Sequence, residues 1–591
     1  MNHSKLKRSV PFFMIVVIMV LAIIGMGFMS IYGMLFLTKS IDKPPPPRHL
    51  RKASSNQARR VLQTIRRRFS DRYGSVAKEL LQQGLHAFGS IDHTAQRILT
   101  ASQEGRPLVM AFSGYSITVG RGNFFNQSFP FVVQQTLGSA VEEIFGIPLV
   151  VRNGAIGGIP SFPYGFCLAH FLGQDPDIIS WDYSMNEGGK DSSVLEAFVR
   201  QATQQLPQRP MIIMLDTNAN RMNLLKEYTE KGWLNDALAV AKKEIVDEDK
   251  VLVMEPLPPG FEEWDQFGAP PSCPGRGSWH PKKQEHALIG WLISMHFVEA
   301  MTRAVEIQDN PKETALVDSR QLATPPTFTK PLSHKLPDND PEVTELLFGH
   351  LQESNNYLMK DLSCRTSFLP ATDHSKTLPS IVVSGFAQGD LDIMIDRTDA
   401  HYKEGWVLDV SKVERDTKRK VENCGGLGYI DMKIALYGVP ESGKLRLWLP
   451  FDGPSHDHHS HDHSDNDANH WFDDLIICEA NEKRNDDACK LDRDLDIVVG
   501  GVPVTSIHPI KGAGEYLKRT TCANVGVPEG AIVTTLGNVQ NTEGRLLSDE
   551  EKLKFGVKDD ALGLVVDITV KSTVTRSKGA CCLSHVVWEQ H

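Results

Sequence analysis

Acidic residues are absent from the first 38 positions, and from Ser9 to Thr38 the chain carries no charge of either sign. That stretch includes Phe12-Phe13-Met14-Ile15-Val16-Val17-Ile18-Met19-Val20-Leu21. It outruns the roughly 7–15 apolar residues of a cleavable signal and meets the ~20 that a membrane helix needs. One retained signal-anchor is predicted over residues 10–37, behind a short tail, 1–9. Cysteine is scarce as well: nine in 591 residues exclude a disulfide-dense mini-scaffold. With 41% hydrophobic and 23% charged residues, the chain lacks the bias of a disordered or collagen-like protein. Basic excess is missing from the body. The formal net charge is −10, yet residues 1–38 hold +3 and residues 39–75 hold +9, which leaves −22 for the remainder. An acidic body predicts no nucleic-acid partner, because phosphate binding needs Lys and Arg across the docking face.

The side of the membrane is contested. Lys5, Lys7 and Arg8 precede the span, and Lys39, Lys43, Arg48, Arg51 and Lys52 follow it. Flanking charge alone would put the body in the cytoplasm. An Asn126-Gln127-Ser128 sequon, and cysteines concentrated in the C-terminal part, favour a lumenal or extracellular body. The expectation is a single-pass type II protein of the Golgi or cell surface. Residues 38–104 read as a Pro/Arg-rich stem. Pro44–Pro47 forms a stiff spacer, followed by Val61, Ile65, Phe69, Val76, Leu80 and Leu81 at near-helical spacing. A polybasic lipid-binding segment is the alternative, and it requires the cytoplasmic orientation.

From Leu108 to about Ala304, short apolar runs alternate with segments of helical spacing. The runs are Leu108–Phe112, Pro148–Val151, Asp177–Trp181, Met211–Leu215 and Val251–Met254, with helices expected over 131–145, 192–206 and 221–245. Alternating β and α elements predict a three-layer, doubly wound parallel sheet, whose ligands gather at the carboxyl ends of the strands. Those ends carry Ser113-Gly114-Tyr115-Ser116, then Asn153-Gly154-Ala155-Ile156-Gly157-Gly158, then Asp182-Tyr183-Ser184-Met185-Asn186-Glu187, and finally Ser278-Trp279-His280-Pro281.

Ser, Gly, Asn and His in that order, each at a strand end, resemble the four blocks of the SGNH (GDSL-type) hydrolase superfamily over residues 105–305. The resemblance implies an ester hydrolase or O-acyltransferase working without a cofactor or metal. Ser116 would be the nucleophile and His280 its base, with the N–H of Ser116, the N–H of Gly158 and the amide of Asn186 facing the oxyanion. The pattern breaks once. The family usually places Asp three residues before the His, and here that residue is Gly277. Either a Ser–His dyad operates or another acid serves, with Asp265 the nearest candidate and Asp182 a more distant one. Glu187 also stands where the family often has Asp. His286 and His296 read as packing or surface residues, with His286 close enough behind His280 to help place it.

Residues 306–345 collect six prolines and read as a linker. Beyond them, 346–591 shows frequent short strand-like runs, including 381–383, 391–395, 406–410, 445–449, 475–478, 496–499, 564–570 and 586–588, which predicts a sandwich-like β-rich module. Cys478 and Cys489 bracket a charged turn that a disulfide would close. A His/Asp-rich insertion at 455–470 is of the kind that binds zinc or copper, but a low-complexity loop between strands reads as solvated, and no metal is expected. Trp406, Tyr437, Trp448 and Trp471 are available for sugar stacking. The expected function is a membrane-anchored esterase cleaving or transferring acyl groups, O-acetyl groups on glycans above all. Its partners are an acylated small molecule or glycan and, through one helix, the membrane. The alternative is a catalytically inactive SGNH frame in a glycan-binding surface protein.

Overall fold

A computed structural model describes residues 53–187, 193–242, 266–273, 275–277, 279–310, 362–368, 371–372, 377–389, 405–409, 436–438, 442–451, 468, 471–480, 490–510, 520–572 and 581–590. All of these lie in one compact unit, Lys52–His591. The anchor expected at 10–37, the runs Val251–Met254 and 391–395, and residues 455–467 of the His-rich insertion lie outside the described residues, as does the expected 306–345 linker from residue 311 onward; its start is corrected, because the helix that begins at Lys283 continues to Asp309. Among the described residues no helix is long and apolar enough to cross a membrane.

The N-terminal half is an α/β layer. Its helices are α1 (Ser55–Tyr73), α2 (Ala77–Gly84), α3 (Ile91–Glu104), α4 (Ser116–Val119), α5 (Phe129–Phe145), α6 (Ser161–Phe166), α7 (Leu168–Leu172), α8 (Ser193–Gln205), α9 (Ala219–Glu230) and α10 (Lys283–Asp309). Its strands are β1 (Leu85–Gly89), β2 (Leu108–Phe112), β3 (Leu149–Asn153), β4 (Ile178–Trp181), β5 (Met211–Met214) and β6 (Asp236–Val240), in the order β1-β6-β5-β4-β2-β3. All neighbours are parallel except β1, which pairs antiparallel with β6 at the edge. Successive strand residues point to opposite faces. Met110, Ile178, Ile213 and Leu238 pack beneath α1, α3, α5 and α10, while Ala111, Ile179, Ile212 and Ala237 pack beneath α6 to α9. Both faces are buried, which is why the runs are apolar throughout rather than alternating.

Two expectations are corrected here. The stem is not free-standing: Ala58, Leu62, Ile65, Phe69 and Tyr73 of α1 are buried in the same core as α10. An apolar stripe of that width needs a covering surface, and α10 supplies it, with Arg59–Asp309 and Arg66–Glu299 pairs at the rim. Residues 85–89 add the edge strand β1. The helix expected over 221–245 stops at Glu230, where Gly232 takes a positive φ of 71°, and the next segment is strand β6. Asp-Ala-Leu-Ala-Val has weak strand propensity; its fully buried central position decides its conformation.

The C-terminal half is two facing sheets. One has the order β16-β17-β13-β20-β11-β10-β9 with β7 also on β20; the other runs β15-β14-β19-β12-β8 with β18 on β19. The first contains β7 (Leu362–Thr366), β9 (Phe386–Gly389), β10 (Trp406–Asp409), β11 (Leu436–Gly438), β13 (Phe472–Ala480), β16 (His508–Ile510), β17 (Thr520–Asn524) and β20 (Cys581–Gln590). The second contains β8 (Val382–Ser384), β12 (Lys444–Pro450), β14 (Leu495–Val499), β15 (Val502–Pro503), β18 (Val533–Thr535) and β19 (Leu562–Val570). Leu445, Leu447 and Leu449 of β12 and Leu564, Val566 and Ile568 of β19 meet Leu475, Ile477, Val586 and Trp588 between the sheets. Trp406, Trp448 and Tyr437 are buried. Cys478 is bonded to Cys522, its cross-strand partner on β17, and not to Cys489. Adjacent strands bring their Cβ atoms within disulfide reach, which a charged turn does not guarantee.

The halves are joined as well as adjacent. Phe368, Tyr437 and Ala480 enter the core beneath α6 to α9, and a Cys167–Cys364 disulfide spans the boundary. His170 Nε2 lies 3.1 Å from the Phe368 carbonyl oxygen.

Burial pushes His286, His296 and His585 down from 6.5 to about 3, 4 and 3. Below pH 6.5 the unfolded chain binds protons at these positions and the folded chain does not. Their contribution is therefore complete above pH 6.5 and is lost as the pH falls toward 4, at up to about 1.4 kcal/mol per pH unit for each. Urea midpoints at pH 7 and pH 4.5 should differ strongly, with the lower midpoint in acid, and His585→Gln should flatten that dependence.

Candidate active site

The carboxyl end of β2 turns through Ser113, Gly114 and Tyr115 into α4, so Ser116 opens a helix whose first N–H groups have no intrahelical acceptor. Two hydrogen bonds draw the next block alongside: Gly154 N donates to Phe112 O at 2.9 Å and Ile156 N to Gly114 O at 3.0 Å. Asn153 fastens the turn by donating from Nδ2 to Thr118 O at 2.7 Å. Gly158 sits in that loop at φ +70°, a conformation costly for any residue with a Cβ. Its N–H meets no acceptor among the described residues. Asn186 is buried after β4 and donates one Nδ2 hydrogen to Ile159 O at 2.8 Å, which ties the third block to the second. An amide has two such hydrogens, so one stays available to a ligand.

His280 arrives from the other side of the chain. Asn123 is the clamp: its Nδ2 donates to Pro281 O at 2.9 Å and its Oδ1 accepts from Gly268 N at 2.9 Å. His280 Nε2 then lies 2.8 Å from Ser116 Oγ, and Nδ1 lies 2.6 Å from the carbonyl oxygen of Gly275. A carbonyl only accepts, so Nδ1 carries the proton and Nε2 presents its lone pair to the Ser116 hydroxyl. That is the tautomer a base needs. Gly275 reaches this position at φ +97°, where a Cβ would stand 2.4 Å from Arg121 Cβ. Burial, with the positive Arg121 nearby, lowers the His280 pKa to about 4, against the raising effect of the Gly275 bond. The ring is therefore neutral at physiological pH.

Neither proposed acid stands behind the ring among the described residues. Asp265 lies outside them. Asp182 is fully buried and committed: one oxygen pairs with Lys242 Nζ and the other accepts from Thr118 Oγ1 at 2.6 Å. Glu187 accepts from Ser161 N at 2.5 Å, at the start of α6. His286 lies close enough for the charge of His280 to act on it, but its Nδ1 accepts from Phe129 N at 3.4 Å and its ring stacks on Phe129. Among the described residues, no group of three His, Cys, Asp or Glu side chains is placed to hold an ion.

Lys242 and Asn123 were not legible as site residues. Lys242 lies two residues beyond the end of β6, is buried, and its Nζ lies 3.1 Å from Tyr115 Oη and 4.7 Å from that ring's centre. With Tyr115 N donating to Asp182 O, the Lys242–Asp182 pair braces the turn that presents Ser116. A lysine at the end of an apolar run was the available signal, but that run lay inside the expected helix.

No family profile matches the sequence, and no curated protein matches it. Among solved structures, the chain is similar to a two-domain esterase active on acetylated mannans, co-crystallized with mannopentaose, at 12% identity and TM-score 0.37, over 86% of this chain and 99% of that one. It is also similar to a putative lipolytic protein of the G-D-S-L family from Desulfitobacterium hafniense DCB-2, at 14% identity and TM-score 0.22, over 32% and 98%. Likenesses this distant carry nothing about mechanism or substrate.

Two outcomes follow from this geometry. The acid limb of kcat/KM should fall near pH 4, not near 6.5, since the base is lost only when His280 takes a proton; a pH–rate profile checks this. Lys242→Met should destabilise the fold by ~3–5 kcal/mol in urea unfolding, by leaving Asp182 buried and unpaired, and adding Asp182→Asn should recover much of the loss.

Proposed function

We propose that this chain is a serine ester hydrolase of SGNH type, acting on O-acyl groups of glycans, with O-acetyl groups as the principal substrate. The observation that carries the reading is the 2.8 Å contact between Ser116 Oγ and the proton-free nitrogen of His280. Ser116 attacks the acyl carbon as its proton passes to Nε2. The resulting oxyanion is met by the N–H groups of Ser116 and Gly158 and by the second amide hydrogen of Asn186. On collapse, His280 returns the proton to the departing sugar oxygen, and the acyl group stays on Ser116. Water, or a second sugar hydroxyl, then attacks with His280 again as base. The Gly275 carbonyl orients the ring and accepts from Nδ1 while the imidazolium forms, the task a carboxylate performs in a triad.

The setting belongs to the same proposal: one membrane helix at residues 10–37 and a lumenal or extracellular body. The Cys167–Cys364 and Cys478–Cys522 disulfides, together with bonded Cys273 and Cys581, favour an oxidising compartment, against the flanking basic charge.

A fluorophosphonate probe should label Ser116, and Ser116→Ala should abolish both labelling and hydrolysis of 4-nitrophenyl acetate. His280→Ala should lower kcat/KM by at least ~10³-fold. Labelling that persists in Ser116→Ala, or a wild-type protein inert to the probe, would sink the catalytic reading and leave a binding role for the same frame.

A further inference from the structure

Of the aromatic side chains that the β-rich half offers for sugar stacking, three are withdrawn from solvent and Trp471 is half-buried. Trp406, Trp448 and Tyr437 are buried, and Trp471 packs edge-on against Phe451. The exposed indole is elsewhere. Trp279 is 54% exposed, the one exposed tryptophan among the described residues, and it directly precedes His280, with ring centroids 5.7 Å apart.

Its seat is Gly277. A Cβ added there would stand 3.0 Å from both Cε2 and Cζ2 of Trp279, so the indole rests against bare backbone. This is the position where the resemblance expects Asp. A side chain at 277 and an indole in this pose compete for one space. The departure from the pattern therefore has two linked consequences: the Gly275 carbonyl takes over His280 Nδ1, and the vacated volume seats a flat apolar surface beside the base.

Chemistry fixes what would lie on that surface. The departing oxygen must take its proton from His280 Nε2, so the alcohol half of the ester leaves on the side of His280. An aliphatic C–H face of a pyranose matches an indole in shape and polarity. We propose that Trp279 is a specificity-determining platform on which the acylated sugar ring stacks, selecting pyranose esters over small acyl esters. This rests on the hydrolase reading above.

The test measures kcat and KM of the full-length protein and of Trp279→Ala, Trp279→Phe and Gly277→Asp on mono-O-acetylated methyl pyranosides (glucoside, mannoside and galactoside) and on ethyl acetate. Trp279→Ala should lower kcat/KM for the best pyranoside about tenfold more than for ethyl acetate, whose alcohol half has no ring to stack, chiefly through KM. Trp279→Phe should restore most of the loss, and Gly277→Asp should reproduce it by displacing the indole. Equal losses on both substrate types, or none, overturn the platform while a wild type active on ethyl acetate keeps the hydrolase reading standing. A wild type inert to every ester and to the fluorophosphonate probe overturns both.

Discussion

The bond from His280 Nδ1 to the carbonyl oxygen of Gly275 governs the site. It sets the tautomer, and with the tautomer the direction in which Ser116 would give up its proton in the proposed mechanism. A carbonyl can hold an imidazole in one orientation as a carboxylate does, but more weakly, because it brings a dipole where the carboxylate brings a full charge. A protonated His280 is accordingly less stabilised, and burial with Arg121 nearby disfavours it further. The arrangement trades basicity for a ring that stays neutral over a wide pH range.

That bond exists because the fold supplies its two ends separately. β2, β3 and β4 deliver Ser116, Gly158 and Asn186 to one edge of the parallel sheet, and backbone bonds between their loops hold them together. The His280 loop is pinned to the same edge by Asn123, ahead of the long helix α10. Beneath the nucleophile, the Lys242–Asp182 pair replaces apolar packing with a directional brace. Such a pair adds little net stability, since desolvation offsets its attraction, but it fixes how the Ser116 turn sits on β4 and β6. The sheet of the C-terminal half that contains β11 and β13 extends the core beneath α6 to α9.

Much of this was legible from residue patterns, and the failures have physical causes. β2, β4 and β5 could be read because strands buried on both faces are apolar throughout. Ser116 and His280 could be paired because their blocks follow strand ends in a recognisable order. β6 could not be read, because Asp-Ala-Leu-Ala-Val carries helical propensity and only its central position makes it a strand. α1 was visible as a helix, but not its burial, since nothing local says that Asp309 and Glu299 wait opposite its arginines. The partner of His280 was invisible in principle: a search for acids cannot find a main-chain oxygen, and every residue has one.

The central claim is that the main-chain carbonyl of Gly275 orients His280. Its most direct test is kcat/KM of Asp265→Asn on 4-nitrophenyl acetate beside the wild type, at a pH well above 5. The account predicts an unchanged value, because Nδ1 is already engaged by Gly275. A loss on the order of 10⁴-fold, the usual cost of removing a triad acid, would contradict it.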